Sequence, residues 1–142
     1  MQEADKINKD ELVAFRAGTM EDAGFIFSTW LKGLRFGNDW YALIDSKVYF
    51  SVYHKVIEDI LSKPNVTVKV ACLKEDPNVI LGYAVYSNTR LDWVHIKRHW
   101  RNIGLAKDLV PNNIATVSHV TSVGRSILKK RNNITFNPFN FT

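Results

Sequence analysis

Ile96-Lys97-Arg98-His99-Trp100-Arg101-Asn102-Ile103-Gly104-Leu105-Ala106 joins a strand pattern to a helix pattern through a basic loop. Residues 91–96 are rich in aromatic and β-branched side chains, as in a strand, and residues 105–110 have helical spacing. The first N–H groups of a helix lack intrahelical partners and carry the positive end of the helix dipole. Gly104 also allows a ligand to approach the backbone closely. The segment therefore predicts an anion site, and a pyrophosphate fits it well.

The patterns on both sides of this loop predict an α/β (α+β) protein with the order β α α β β β α β α β. The strongest helix signal is at residues 46–62, where Val48, Val52, Val56 and Ile60 recur at steps of four. Further helices are expected at 20–33, 105–110 and 122–131, and strands at 12–16, 66–73, 79–87, 91–96, 114–120 and 134–136. The aromatic loop 33–41 is expected to pack against helices rather than to line a cleft.

The composition predicts one soluble globular domain spanning residues 1–142. Apolar residues make up 46% and charged residues 23% of the chain, as in ordinary globular domains. No apolar stretch approaches the ~20 residues that a membrane helix needs, and the polar start, Met1–Lys6, predicts no secretory signal. The single cysteine, Cys72, lies in an apolar run, which predicts core packing in a reduced, cytoplasmic setting.

Positive charge is concentrated in the C-terminal part of the chain. Eight basic and two acidic residues follow Arg90, whereas the whole chain has a net charge of +5. This distribution favours an anionic ligand at the basic loop. Trp100 among arginines and lysines also resembles single-stranded nucleic-acid sites, but no nucleic-acid motif accompanies it, so nucleic acid is the least favoured ligand. The four histidines and Cys72 lack metal-ligand spacing, and no metal site is predicted.

The loop also carries a resemblance to a known family. Arg101-x-x-Gly104-x-Ala106, preceded by Ile96 and Lys97, is similar to the acyl-CoA motif R/Q-x-x-G-x-G/A of the GNAT superfamily of N-acetyltransferases. The predicted order of elements is that of the GNAT fold, a mixed and mostly antiparallel sheet flanked by helices. Residues 40–49 in addition resemble small proteins of tailed phages, which bears on origin and places the chain in a bacterium or a phage-infected host.

The resemblance implies acetyl-CoA as cosubstrate and an amine as acceptor. In that family the loop amides bind the pyrophosphate, and the strand before the loop pairs with the pantetheine arm. The implied cofactor-binding residues are Val94, Ile96, Arg101, Asn102, Ile103, Gly104, Leu105 and Ala106.

Three residues are candidates for the chemistry that the resemblance implies. Asp92 lies where family members carry a group that accepts the amine proton, and side-chain alternation places it on the same face as Val94 and Ile96. His95 titrates in a useful range, although alternation points it to the other face. Ser126 is a weak substitute for the tyrosine that protonates the departing thiolate in many members, since residues 122–131 contain no tyrosine. His119 has no evident partner in the sequence.

Two functions therefore stay open. The first is a GNAT-type N-acyltransferase acting on an amine that the sequence does not identify. The second is a catalytically weak or inactive GNAT-like accessory or structural protein, cellular or viral. The intact loop favours the first and the missing tyrosine favours the second. The sequence also leaves open whether the protein forms a homodimer.

Overall fold

The computed structural model describes residues 8–121 and 133–139. Within them the chain forms helices α1 (Lys9–Leu12), α2 (Ala23–Phe36), α3 (Ser46–Leu61) and α4 (Leu105–Leu109). The strands are β1 (Val13–Ala17), β2 (Thr67–Leu73), β3 (Ile80–Ser87), β4 (Arg90–Ile96), β5 (Thr116–Val117) and β6 (Thr135–Phe136). This order agrees with the prediction, except that α1 is an additional single turn. The predicted helix 122–131 lies outside the described residues, and Ser126 lies there with it.

All six strands form one mixed sheet in the order β1-β2-β3-β4-β5-β6. Strands β1 to β4 are antiparallel, whereas β5 runs parallel to β4 and β6 runs parallel to β5. The predicted mixed, mostly antiparallel sheet is therefore confirmed. The strand predicted at 114–120 is wrong in length, because β5 contains only the two residues that pair with the start of β4.

Helices α2 and α3 cover one face of the sheet, and α4 covers the other. Alternation along β3 explains the division, since Tyr83 and Val85 enter the core under α2 and α3 while Ala84 and Tyr86 pack in the core under α4. Cys72 is buried in the first core, as predicted. No helix in the described part of the chain has both the length and the apolar content that a bilayer span requires.

Close packing fixes the distance between α2 and β4. Trp30 of α2 stacks on Trp93 of β4, with ring centroids 5.7 Å apart and planes inclined by 7°. Gly33 makes room for this stack, because a Cβ there would lie 2.9 Å from the indole of Trp93. Helix α2 begins and ends three residues later than predicted, after a 3₁₀ turn in which Thr19 and Asp22 form a capping box.

Candidate active site

Strands β4 and β5 pair over only two residue pairs. Arg90 pairs with Thr116 and Leu91 pairs with Val117. Beyond these pairs, no strand among the described residues lies against the free side of β4. The rest of β4 therefore has an open edge, which we call the β4 edge (residues 92–96).

A β-bulge at Asp92 marks the point where the strands part. Trp93 pairs with Val85 and Leu91 pairs with Tyr86, so Asp92 is an extra residue on β4. A bulge bends the strand and disturbs the regular ladder. The predicted alternation fails here: Val94 and Ile96 pack with the α4 core, whereas Asp92 contacts Arg90 and a residue that follows β5.

The main-chain groups of Val94 and Ile96 point toward the open side. The N–H of Lys97 donates to the C=O of Leu81 at 2.8 Å. In an antiparallel pair this pattern makes the odd-numbered residues of β4 face β3 and the even-numbered residues face away. The C=O of Ile96 is already occupied, because Nε of Arg101 donates to it at 2.9 Å. Val94 thus offers both of its main-chain groups to a chain laid along the β4 edge.

The loop after β4 turns sharply and ends in a left-handed glycine. A 3₁₀ turn at Arg98–Trp100 is followed by Asn102 at φ 67° and Gly104 at φ 88°. Gly104 is the residue before α4, which has only five residues and stops before Pro111. A Cβ on Gly104 would lie 2.8 Å from Nζ of Lys9. An ammonium group that the sequence did not suggest therefore lies beside the loop.

The loop side chains divide into packed and exposed groups. Leu105 is buried in the α4 core, and Ile103 and Trp100 pack against that core. These residues offer a ligand mainly their backbone, and the packing of Trp100 removes the exposed stacking surface that a nucleic-acid site would use. Arg101 and Asn102 are exposed.

Asp92 belongs to a buried polar network. Its side chain is 2% exposed, and Oδ1 lies 3.1 Å from Nε of Arg90. The hydroxyl of Ser118 donates to the same Oδ1 at 2.6 Å, and Oγ of Ser118 lies 2.8 Å from Nδ1 of His119. Because an ionised carboxylate only accepts hydrogen bonds, Ser118 gives its proton to Asp92 and accepts one from His119. Nδ1 of His119 is therefore protonated, and Nε2 carries the lone pair.

Burial keeps His119 neutral. Desolvation lowers the pKa of His119 from 6.5 to about 4, and the carboxylate of Asp92 opposes this shift only in part. The ring meets the edges of Trp30 and Tyr53, at centroid distances of 5.7 and 6.0 Å. No described residue donates a hydrogen bond to Nε2, and its lone pair makes this atom the proton acceptor of the ring.

The depressed pKa predicts that acid destabilises the protein. Below pH 6.5 His119 becomes protonated in the unfolded chain, whereas in the folded protein it stays neutral down to about pH 4. The free energy of unfolding therefore falls as the pH is lowered from 6.5 to about 4. The full effect is about 3 kcal/mol. In urea unfolding at several pH values, His119→Gln should flatten this dependence, and His99→Gln, which removes an exposed histidine, should preserve it. If the free energy of unfolding depends on pH equally in the wild type and in His119→Gln, the depressed pKa does not belong to His119.

His119 and Ser118 form part of the wall of a cleft of about 330 Å³. Four aromatic side chains, Trp40, Tyr41, Tyr53 and Phe136, line the same space, which we call the aromatic cleft. Trp40 is 57% exposed. The expected burial of loop 33–41 is thus wrong for Trp40, although Tyr41 does pack against the core under α2 and α3.

The other predicted catalytic histidine lies elsewhere. His95 is half-buried between Phe25 and Tyr83, at centroid distances of 5.9 and 5.8 Å. Its pKa is lowered, first by burial and then by the positive charges of Arg101 and Lys97. Among the residues that the structure describes, no group of three or more His, Cys, Asp or Glu side chains is placed to hold a metal ion.

Sequence reasoning missed Arg90, Ser118 and His119. Arg90 lies two residues before Asp92 on β4. No local spacing connects Ser118 and His119 to Asp92, because these groups meet only when the start of β5 pairs with the start of β4. The single available signal was a serine next to a histidine at the end of a predicted strand.

Comparison with known proteins identifies the fold. No protein-family model matches the sequence, and no curated protein matches it. Among solved structures, an inferred acetyltransferase from Pyrococcus furiosus has a TM-score of 0.53 and 14% identity, over 88% of this chain and 80% of that chain. A predicted acetyltransferase from Clostridium acetobutylicum, solved with acetyl-CoA, has a TM-score of 0.52 and 13% identity, over 84% of this chain and 88% of that chain. An inferred acetyltransferase from Clostridium difficile 630 has a TM-score of 0.50 and 14% identity, over 89% of this chain and 80% of that chain.

The chain therefore has the GNAT acetyltransferase fold that its sequence predicts. At 13–14% identity, the likeness to these structures is one of fold.

Proposed function

We propose that the protein is an acetyl-CoA-dependent N-acyltransferase that transfers an acetyl group to an amine. The observation that carries this proposal is the β4 edge, which leads from the loop before α4 to the network at Asp92 and His119. A sheet that opens at this point offers a slot for an extended ligand arm, with hydrogen-bonding groups on one side of the slot.

The residues of the slot fit acetyl-CoA. Val94 would pair with an amide of the pantetheine arm through its main-chain N–H and C=O. Gly104 and the amides that follow it would face the pyrophosphate, with Arg101 supplying positive charge. The ammonium of Lys9 also lies beside Gly104, where it is paired with Asp108 at 2.8 Å. Ile103 and Leu105 would contribute through their backbone, because their side chains are packed.

His119 would serve as the proton acceptor at the reacting end of the slot. Bound acetyl-CoA supplies an activated acetyl group. As the amine nitrogen forms its bond to the acetyl carbon and the C–S bond breaks, Nε2 of His119 would take the proton that the nitrogen loses. Asp92 and Ser118 would hold the imidazole in the required tautomer. This role for Asp92 differs from direct proton acceptance, since its carboxylate is buried behind Ser118.

Proton delivery to the thiolate is the least supported step. Ser126, the sequence candidate, lies outside the described residues, and it stays a proposal. The thiolate of CoA is a good leaving group, so transfer without a strong general acid would proceed, at a rate lower by roughly 10²–10⁴-fold.

Titration calorimetry with acetyl-CoA tests the proposal, followed by thiol release with a panel of amines. We expect a dissociation constant in the micromolar range, which corresponds to about −8 kcal/mol, and thiol release that depends on the amine. No binding at millimolar acetyl-CoA would refute the transferase. Binding without thiol release for any amine would instead favour the accessory protein that lacks catalysis, as the missing tyrosine suggests.

A further inference from the structure

The aromatic cleft lies where an acceptor would meet His119. Its wall includes Ser118 and His119, and the ring of Tyr53 meets the edge of His119 at a centroid distance of 6.0 Å. The cleft is thus continuous with the only histidine, among those in the described residues, that is hydrogen-bonded into the Asp92 network. A ligand in this cleft would present its amine to Nε2.

The aromatic rings of the cleft are held in fixed positions. Trp40 stacks on Tyr41 at a centroid distance of 4.1 Å, and Tyr41 meets Tyr53 edge to face at 5.4 Å. The hydroxyls of Tyr41 and Tyr53 lie 2.7 Å apart and satisfy each other. The cleft therefore presents preformed π faces and a small number of polar atoms, an arrangement that suits an apolar body and a single cation.

Charge in the cleft argues against a polycation. None of the described residues that line it is acidic. Asp92, which accepts a hydrogen bond from Ser118 of the cleft wall, is already paired with Arg90. The last acidic side chain of the sequence is that of Asp108. A polyamine would enter with several ammonium groups and would meet no carboxylate in the described lining, so desolvating those groups would be costly.

We propose that the aromatic cleft binds the acceptor as a primary monoamine carried on an aromatic or bulky apolar group. This inference rests on the proposed transferase function and names the substrate class of the same site. The ammonium form would be held against Trp40 and Tyr53, and the neutral amine would then face His119 and the acetyl group.

The binding test uses 2-phenylethylamine, spermidine and ethylamine as probes. Titration calorimetry is performed with the protein alone and with the protein saturated with CoA. We expect 2-phenylethylamine to bind at least about tenfold more tightly than either of the other two amines. Spermidine would find no carboxylate partners in the described lining of the cleft, and ethylamine has no apolar body to fill it.

Two exposed positions in the same segment provide matched variants. Trp40→Ala removes a wall of the cleft and should weaken 2-phenylethylamine binding by about fivefold to tenfold. Leu43→Ala truncates a side chain that is 86% exposed and does not line the cleft, so binding should be unchanged. Thermal melting of both variants checks that each remains folded.

The outcomes separate this inference from the transferase proposal. Equal or tighter binding of spermidine would overturn it, as would equal effects of Trp40→Ala and Leu43→Ala. If acetyl-CoA does not bind but 2-phenylethylamine binds in a Trp40-dependent way, the transferase proposal fails and the cleft remains an amine site. If acetyl-CoA and spermidine react while 2-phenylethylamine neither binds nor reacts, the transferase stands and the substrate class proposed here is wrong.

Discussion

Gly104→Asp is expected to lower the affinity of the protein for acetyl-CoA by at least about 100-fold, or about 2.7 kcal/mol. Two effects act together. A carboxylate about 4 Å from a phosphate costs about 4 kcal/mol at an effective dielectric constant of 20. The new side chain would also crowd Nζ of Lys9, which is paired with Asp108 at 2.8 Å, and would fill space that the phosphates need. Titration calorimetry measures the loss.

Two control variants separate charge from backbone strain. Gly24→Asp makes the same charge change in the exposed first turn of α2, where a Cβ meets nothing within 4 Å, and affinity should be unchanged. Gly104→Asn tests the backbone, because asparagine tolerates the positive φ of 88° better than other residues with a side chain and adds no charge. Its affinity should lie between those of the wild type and Gly104→Asp. Wild-type affinity in Gly104→Asp would show that the loop does not bind the phosphates.

The parts of the fold that the sequence predicted are those with strong local signals. Helix α3 lies where the four-residue repeat that starts at Val48 predicts a helix, and it ends before Pro64. Its buried residues are Tyr49, Ile57 and Ile60, whereas Val48 and Val52 of the repeat are exposed. The β2–β3 hairpin and the loop at Gly104 are likewise set by residues close together in the chain. Such patterns depend on periodicity and turn chemistry, which a single sequence contains.

The geometry of the site depends instead on pairing between distant segments. The bulge at Asp92 exists because Val85 and Tyr86 of β3 pair with Trp93 and Leu91. A bulge is a property of the register between two strands, and nothing in residues 91–96 alone distinguishes it from regular alternation. The face assigned to Asp92 from its own strand was therefore wrong, while the assignments of Val94 and Ile96, beyond the bulge, were correct.

His119 was overlooked for the same reason. Its tautomer is set by Asp92, 27 positions earlier in the chain, through the hydroxyl of Ser118. Its depressed pKa comes from burial. The short parallel pairing of β4 with β5 brings these groups together. The aromatic cleft is a similar case, since its rings come from the loop after α2, from α3 and from β6. Long-range pairing of this kind is not encoded in local spacing.

His119→Gln should lower kcat for acetyl transfer by about 100-fold, at the lower end of the range for losing a general base. The dissociation constant of acetyl-CoA should be unchanged, because His119 lies at the opposite end of the β4 edge from the loop. His95→Gln is the rival variant, and its effect on kcat should be smaller. His54→Gln removes an exposed histidine that stacks on Phe27 and serves as the control. A larger loss of kcat in His95→Gln than in His119→Gln would reverse the assignment.

Combining variants shows whether Asp92 acts through His119 or accepts the proton itself. Asp92→Asn removes the carboxylate charge beside the buried guanidinium of Arg90 and puts the fold at risk, so Ser118→Ala is the better way to interrupt the network. If Ser118 and Asp92 act by orienting His119, Ser118→Ala should lower kcat in the wild type and have little further effect in His119→Gln, because both changes remove the same interaction. If Asp92 accepts the proton directly, His119→Gln should keep most of the activity, and the effects of the two changes on kcat should add.

The pH dependence of kcat/KM gives an independent criterion. Because the pKa of His119 is about 4, kcat/KM should show no ionisation of His119 above about pH 5. The rise of kcat/KM toward alkaline pH should then follow the deprotonation of the acceptor amine alone.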